Sequence, residues 1–402
     1  MDLLQKPKED FNYLNIVNRP LEYGVDVLPG SAAALKQQRI ALVTNNAALS
    51  ASGELSRLTL LRQSFHIKKL FSPEHGITVT GADGEAQKHS KDIVTGLPVV
   101  SLYGDRLAPS EEDLDDIDIV LFDIPDIGCR FYTYLWTMTY VMEACAQYNK
   151  PLIILDRPNP IGALLEHAEG PFLDEQYCSS FIGRWNIPLK HACTLGELAL
   201  YFAATRIPAL KIEVIPVKYY QRFQYATLHF PFVPTSPAIQ NLQAAMLYPG
   251  TGLLEGVNIN EARGTSTAFT MLGAPWINGT ELCDTIQELR LPGIAIQPVS
   301  YKAVTPPYTN EICFGVHLTV TDPPSFRAVH TGITILQTIA ALYPHSFEER
   351  LYPTHANPSG SFHLDKLLGI QQAFHGLSTI YPSSIEIATD WHQTIHPYLL
   401  YS

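Results

Sequence analysis

Taken as a string of apolar and polar positions, the first part of the chain alternates short apolar runs with longer stretches of helical spacing. The apolar runs are Arg39–Thr44, Ile67–Phe71, Val99–Tyr103, Asp118–Ile124 and Pro151–Leu155. A short apolar run closed by a turn signal is the pattern of a strand buried on both faces of a parallel sheet. Between the runs, Leu55–Phe65 and Phe131–Tyr148 have helical spacing, and Ser31–Gln38 carries a shorter helical pattern behind Pro29-Gly30. This alternation predicts βαβ units and an α/β fold: a Rossmann-like, doubly wound, mainly parallel sheet. After Asp156 the pattern loosens. A helix is expected over 191–203, with Thr194 as its cap and Glu197 at capping-box spacing. Lys211–Val217 alternates as a strand, Glu169-Gly170-Pro171 reads as loop, and Tyr248–Gly252 reads as a turn. From about Gly273 a smaller α/β unit follows. Its expected helices lie near 279–290, 326–342 and 382–395, and its strands near 294–300 and 312–320. The expected organisation is two domains, residues 1–272 and a smaller C-terminal α/β domain of residues 273–402, with a polar, peripheral start.

The stretch DIVLFDIPDIGCRFYTY, residues 118–134, organises the rest. Its apolar run breaks at Pro125, and Asp126, Gly128 and Arg130 follow at once. Three other runs also end in polar clusters: Asn45-Asn46, Ser72-Pro73-Glu74-His75-Gly76, and Asp156-Arg157-Pro158-Asn159-Pro160. Open α/β sheets bind their ligands outside the carboxyl ends of the strands, so the repetition places a site there. Net charge is −12 with no basic cluster, which argues against nucleic acid and against an anionic membrane surface. No apolar run reaches the roughly 18 residues of a membrane helix, and residues 1–20 lack the apolar core of a signal peptide. Six scattered cysteines without a C-x-x-C pair suit buried thiols in a reducing compartment. A cytoplasmic protein is expected.

Generic motifs are missing: no P-loop, no G-x-S-x-G, no H-E-x-x-H. Gly81–Gly84 lacks dinucleotide spacing, so no nicotinamide cofactor is expected. His75, His89 and His191 have no ligand spacing, so no metal is expected. What remains is a set of carboxylates and arginines at strand ends. Glu74 can be partly desolvated, which suits a group that protonates a leaving group. Cleaving a glycosidic bond takes two carboxyl groups. Asp123, Asp126, Asp156, Glu169 and Glu261 are candidates for the second, with Asp126 or Glu261 preferred. Arg130, Arg157 and Arg263 could grip a carboxylate or phosphate; each could equally pair with a neighbouring acid.

The motifs LFSPEHG (70–76), TGLPV (95–99), SLYG (101–104), FDIxDIGxRFYTY (122–134), LDRPNP (155–160), EGP (169–171), YPG (248–250), LEGxN (254–258), RGT (263–265) and GAPW (273–276) stand in collinear order. In these the chain resembles the DUF1343 family, the NamZ group of exo-β-N-acetylmuramidases, glycoside hydrolase family 171. The resemblance implies a cleft between a large Rossmann-like domain and a smaller one. It implies removal of terminal β-linked N-acetylmuramic acid from peptidoglycan fragments during wall turnover, with Glu74 as the catalytic acid. The expected substrate-facing residues at the strand ends are Asn45, His75, Asp123, Arg130, Tyr132, Asp156, Arg157 and Asn159. Beyond them come Glu169, His191, Asn258 and Arg263. Tyr134 and Trp136 are further suppliers of an aromatic platform. The pattern departs from the family at 191–197, 232–238 and 260–265. Phe232 stands where a Trp is expected and Ala238 where an Asn is, which leaves the sugar preference open. Two alternatives remain: a hydrolase or transferase acting on another acidic or phosphorylated sugar, and a non-catalytic protein that binds muramyl ligands.

Overall fold

The computed structural model describes residues 19–402, apart from residues 83, 87–89, 355–356, 381–384 and 387. Asp83, His89 and part of the expected 382–395 helix lie outside these. Apolar runs that are continuous rather than alternating become strands buried from end to end. This holds for Ile40–Thr44 (β1), which is followed by Ile67–Ser72 (β2), the two-residue Ser90–Lys91 (β3) and Pro98–Ser101 (β4). It holds again for Ile119–Asp123 (β5) and Leu152–Leu155 (β6). Ile212–Ile215 completes the sheet; two intervening strands, Glu169–Phe172 (β7) and Pro188–Lys190 (β8), form a separate pair, so this last strand is β9.

The seven strands run in the order β3-β4-β2-β1-β5-β6-β9. All pairings are parallel except the β3 edge, which is antiparallel. From β1 the chain first builds outward through β2 and β4, then returns to build β5, β6 and β9 on the other side. The switch point lies between β1 and β5, where Thr44 stands beside Asp123. Successive side chains point to opposite faces. Val43, Phe122 and Ile154 enter one core with Trp136 and Phe202 from helices Tyr134–Gln147 and Leu195–Thr205. Leu42, Leu121 and Ile153 enter the other with Val25 and Leu60 from helices Gly24–Ser31 and Ser56–Arg62.

The carboxyl-terminal part carries its own antiparallel sheet of Met271–Ala274 (β10), Ile294–Lys302 (β11) and Ile312–Val320 (β12), in the order β10-β12-β11. Helices Gly279–Glu288 and Ala328–Leu342 accompany it. Its Leu272, Val316 and Leu336 belong to the same apolar cluster as Trp136, so one core runs from the first sheet to the second.

Three local expectations change. Residues 248–252 are not a turn, because helix Leu242–Thr251 runs through them with Pro249 inside it. A Cβ on Gly250 would stand 2.1 Å from the Ala328 carbonyl, and one on Gly332 would stand 2.4 Å from the Gly250 Cα. These glycines serve close helix packing. Glu169-Gly170-Pro171 is strand rather than loop. The helical pattern of 31–38 is a 3-10 turn, Ala33–Gln37, behind the helix that carries Pro29.

Candidate active site

Glu74 follows β2 in a turn that Pro73 opens and His75 and Gly76 close with φ of 65° and 70°. The His75 ring Nδ1 lies 2.8 Å from the Gly81 carbonyl, which ties the turn to the glycine loop. Glu74 is buried, at 4% exposure. Its Oε1 accepts from the Gly84 N–H at 2.9 Å and its Oε2 from the Thr133 hydroxyl at 2.6 Å. Thr133 stands just before helix Tyr134–Gln147, at the end of the stretch that follows β5. The ends of β2 and β5, far apart in sequence, therefore meet on one carboxyl group.

That group lines a cavity. Tyr103 borders it beyond β4, and Phe131, Tyr132 and Thr133 border it beyond β5. Ser236 and Ala238 come from the stretch that holds Pro231, Pro234 and Pro237; Tyr352, His363 and Lys366 close it from the carboxyl-terminal part. An aromatic cluster lies against one side, with Tyr132 and Tyr134 at 4.9 Å, Phe131 and Tyr248 at 5.0 Å, and Tyr248 and Phe269 at 4.7 Å, all edge to face. Tyr132 and Tyr134 donate to the Thr235 hydroxyl and carbonyl. Burial raises both phenols above their ordinary range, so they stay neutral donors.

The second carboxylate bordering the cavity is Glu255, in the 3-10 turn Gly252–Gly256. The Arg263 guanidinium donates to Glu255 through Nη2 and to Glu261 through Nε at 3.2 Å, and lies 5.0 Å over the Phe269 ring. His363 Nε2 stands 3.6 Å from Glu255, and its ring stacks on Tyr352 at 4.6 Å. Glu255 is not among the carboxylates expected from the sequence, although the LEGxN motif contains it.

The expected residues separate into three groups. Glu74, His75, Tyr132 and Arg263 line the cavity. Asp126 and Arg157 border a neighbouring cavity, outside the ends of β1, β5 and β6, beyond the Thr235–Ser236 segment. Asp126 there accepts from the Gly128 N–H at 2.8 Å and lies 3.5 Å from His191 Nε2. The remaining expected residues border neither of these two cavities and are held by contacts within the fold. Arg130 is fully buried and donates to the carbonyls of Pro171, Ile187 and Leu367. Asp123 is buried against Arg157. Asp156 accepts from the Thr194 hydroxyl, the Gly196 N–H and the Tyr401 hydroxyl, and burial pushes its pKa up to about 6.

Glu169 accepts from the N–H groups of Ala328, Val329 and His330, so it caps a helix. Asn159 joins the Ile161 N–H to the Cys193 carbonyl, and Asn258 joins the Glu348 N–H to the Ser346 carbonyl. Asn45 turns the chain after β1 by accepting from the Ala47 N–H. His191 is buried and accepts from the Cys193 N–H. Glu261 is fully buried behind Arg263, and burial raises its pKa. Tyr134 and Trp136 are core residues that offer no platform. Of the departures from the family pattern, Ala238 borders the Glu74 cavity and Phe232 the neighbouring one. The 191–197 segment borders neither of these two cavities; its Thr194 and Glu197 form the expected capping box.

The fold and site define an α/β protein with two principal sheets and a carboxylate-bearing cleft at the carboxyl ends of its parallel strands. The chain belongs to the exo-β-N-acetylmuramidase NamZ family: residues 40–243 match that family's N-terminal region and 246–401 its C-terminal region. It is 41% identical over 332 residues to the peptidoglycan β-N-acetylmuramidase NamZ of Bacillus subtilis strain 168, across 82% of this chain and 79% of that protein. Two crystal structures of DUF1343 family proteins from Bacteroides fragilis NCTC 9343 share the fold. One has a TM-score of 0.84 at 28% identity, over 95% of this chain and 99% of that one. The other has a TM-score of 0.71 at 27% identity, over 96% and 99%.

Proposed function

We propose that the protein is an exo-β-N-acetylmuramidase that removes β-linked N-acetylmuramic acid from the non-reducing end of peptidoglycan fragments, with Glu74 as general acid. The observation that carries this is the Glu74 carboxyl in its cavity between the Thr133 hydroxyl and the Gly84 N–H. A hydroxyl can donate to a carboxylate or accept from a carboxylic acid. Thr133 therefore suits both states of a group that gives up a proton and regains it. The Gly84 N–H fixes the other oxygen as an acceptor. Glu255, which among the described residues is the other carboxylate on the cavity wall, takes the second role in place of Asp126 and Glu261. In this reading residues 1–272 form the larger domain and supply Glu74, Thr133 and Glu255; residues 273–402 form the smaller one and close the cleft. The six cysteines, all unpaired and buried, favour a reducing compartment and hence a cytoplasmic role in recycling wall fragments. Among the described residues no helix is long and apolar enough to cross a membrane.

The test is hydrolysis of a chromogenic β-N-acetylmuramide by the protein and by Glu74→Gln. General acid catalysis contributes roughly 10²–10⁴-fold, and the variant is expected to lose about that much kcat at unchanged melting temperature. No turnover by the intact protein, with sugar phosphates then hydrolysed, would replace this function with the phosphorylated-sugar alternative.

A further inference from the structure

Hydrolysis of a muramide, the reading on which this inference rests, poses a recognition problem. The lactyl ether of N-acetylmuramic acid ends in a carboxylate. The cavity that must receive it already contains Glu74 and Glu255, in a chain of net charge −12. An anionic substrate needs a local cation there, and the three arginines expected from the sequence do not supply one. Arg130 is buried on three carbonyls. Arg157 is paired with Asp123 and borders the other cavity. Arg263 borders the right cavity but bridges two carboxylates, Glu255 and Glu261. Arg350 also stands 3.9 Å from Glu261, so two guanidiniums and two carboxylates offset one another and Arg263 has no charge to spare for a further anion.

Lys366 is different. It lies in helix His363–Leu368, whose residues 363, 366 and 367 share a face at helical spacing and all border the Glu74 cavity. The adjacent carboxylate, Asp365, is engaged elsewhere: its two oxygens accept from the N–H groups of Gln372 and Ala373, each at 2.8 Å. Among the described residues Lys366 forms no ion pair with any carboxylate, while every arginine expected to grip the substrate has its partners. Burial lowers its pKa below the ordinary lysine value. A partly desolvated ammonium without a direct ion-pair partner gains most from an arriving anion, because its lost hydration is then made good by a charge-assisted hydrogen bond.

We propose that Lys366 binds the carboxylate of the sugar's lactyl group, and so selects N-acetylmuramic acid over N-acetylglucosamine, which lacks that group. Lys366 is a binding residue in this scheme and takes no part in bond cleavage.

Two chromogenic substrates separate this from the function itself: a β-N-acetylmuramide and its neutral lactyl amide, each with the unaltered protein, Lys366→Met and Lys366→Arg. Failure of the unaltered protein on both substrates would overturn the muramidase reading and this inference with it. Given turnover, Lys366→Met is expected to lose about 10–100-fold in kcat/KM on the acid, the range of a charge-assisted hydrogen bond. The loss should fall on KM, with amide hydrolysis changed less than about 3-fold on the same scale. Lys366→Arg, which keeps the charge, should retain a preference for the acid. Acid and amide affected alike by Lys366→Met, or neither affected, would overturn the proposal. If Lys366→Met does not fold, the unaltered protein decides: equal kcat/KM on acid and amide would overturn it too.

Discussion

A carboxyl group that cycles a proton, the role proposed for Glu74, needs neighbours that tolerate both of its states, and the Thr133 hydroxyl beside it is of that kind. Thr133→Val keeps the shape of the side chain and removes the hydroxyl. It is expected to lower kcat by about 10-fold or more, the value of a hydrogen bond to a charged group, and to shift the alkaline limb of the pH–rate profile, where a general acid loses its proton. An unmoved profile would mean that the hydroxyl merely fills space. Arg130 gives the opposite kind of expectation. Its guanidinium ties the turn after β5 to Pro171, Ile187 and Leu367, and burial holds its pKa down at about 10. Arg130→Met leaves those carbonyls without donors, each costing about 1–3 kcal/mol. Its melting temperature should therefore fall steeply, while KM of the surviving folded fraction stays put. A KM effect without a stability effect would restore Arg130 to the substrate.

At the scale of elements, helix termini and close crossings carry much of the specification. Glu169 reaches from β7 to the first N–H groups of helix Ala328–Leu342. Glu169→Gln removes the charge that favours this terminus, and chemical denaturation should show a loss of about 1–2 kcal/mol. Gly332→Ala drives a methyl into the Gly250 backbone and should cost at least as much. The parallel strands and their turns were legible in the sequence because continuous apolar runs and Pro-, Asn- and Gly-marked ends have one physical meaning. The Glu74 loop was legible for the same reason. The far wall of the cavity was not. Helix His363–Leu368 lies in a weakly patterned stretch, and Gly256 packs directly on its Leu364, more than a hundred positions away. That contact sets Glu255 beside His363 and brings Lys366 to the cavity, and no local signal announces it. The surroundings of the arginines were not legible for a related reason: type and position suggested an anion site, whereas the burial of Arg130 among carbonyls and the pairing of Arg157 and Arg263 with acids are set by tertiary neighbours.

For the molecule as a whole, the buried Asp156 predicts a distinct pH signature. Its folded pKa of about 6 lies above the ordinary 3.8, so the neutral form is the one the fold prefers. Stability from this group is fully present below about pH 4 and declines as pH rises through about 6. Comparing urea denaturation of the protein and of Asp156→Asn from pH 4 to 7 isolates this contribution: the difference between them should shrink by up to about 3 kcal/mol on that rise. A difference that does not change with pH would mean Asp156 is ionised in the fold throughout. The same carboxyl carries a further implication. Its partner Tyr401 also accepts from the Val217 N–H, Leu400 donates to Glu197, and the Ser402 carbonyl accepts from the Arg222 N–H. The first sheet is thus finished by residues that leave the ribosome long after its own last strand. Its assembly waits on residues 400–402, and a chain arrested before residue 398 should remain protease-sensitive in the β6–β9 region even though every strand of that sheet has been made.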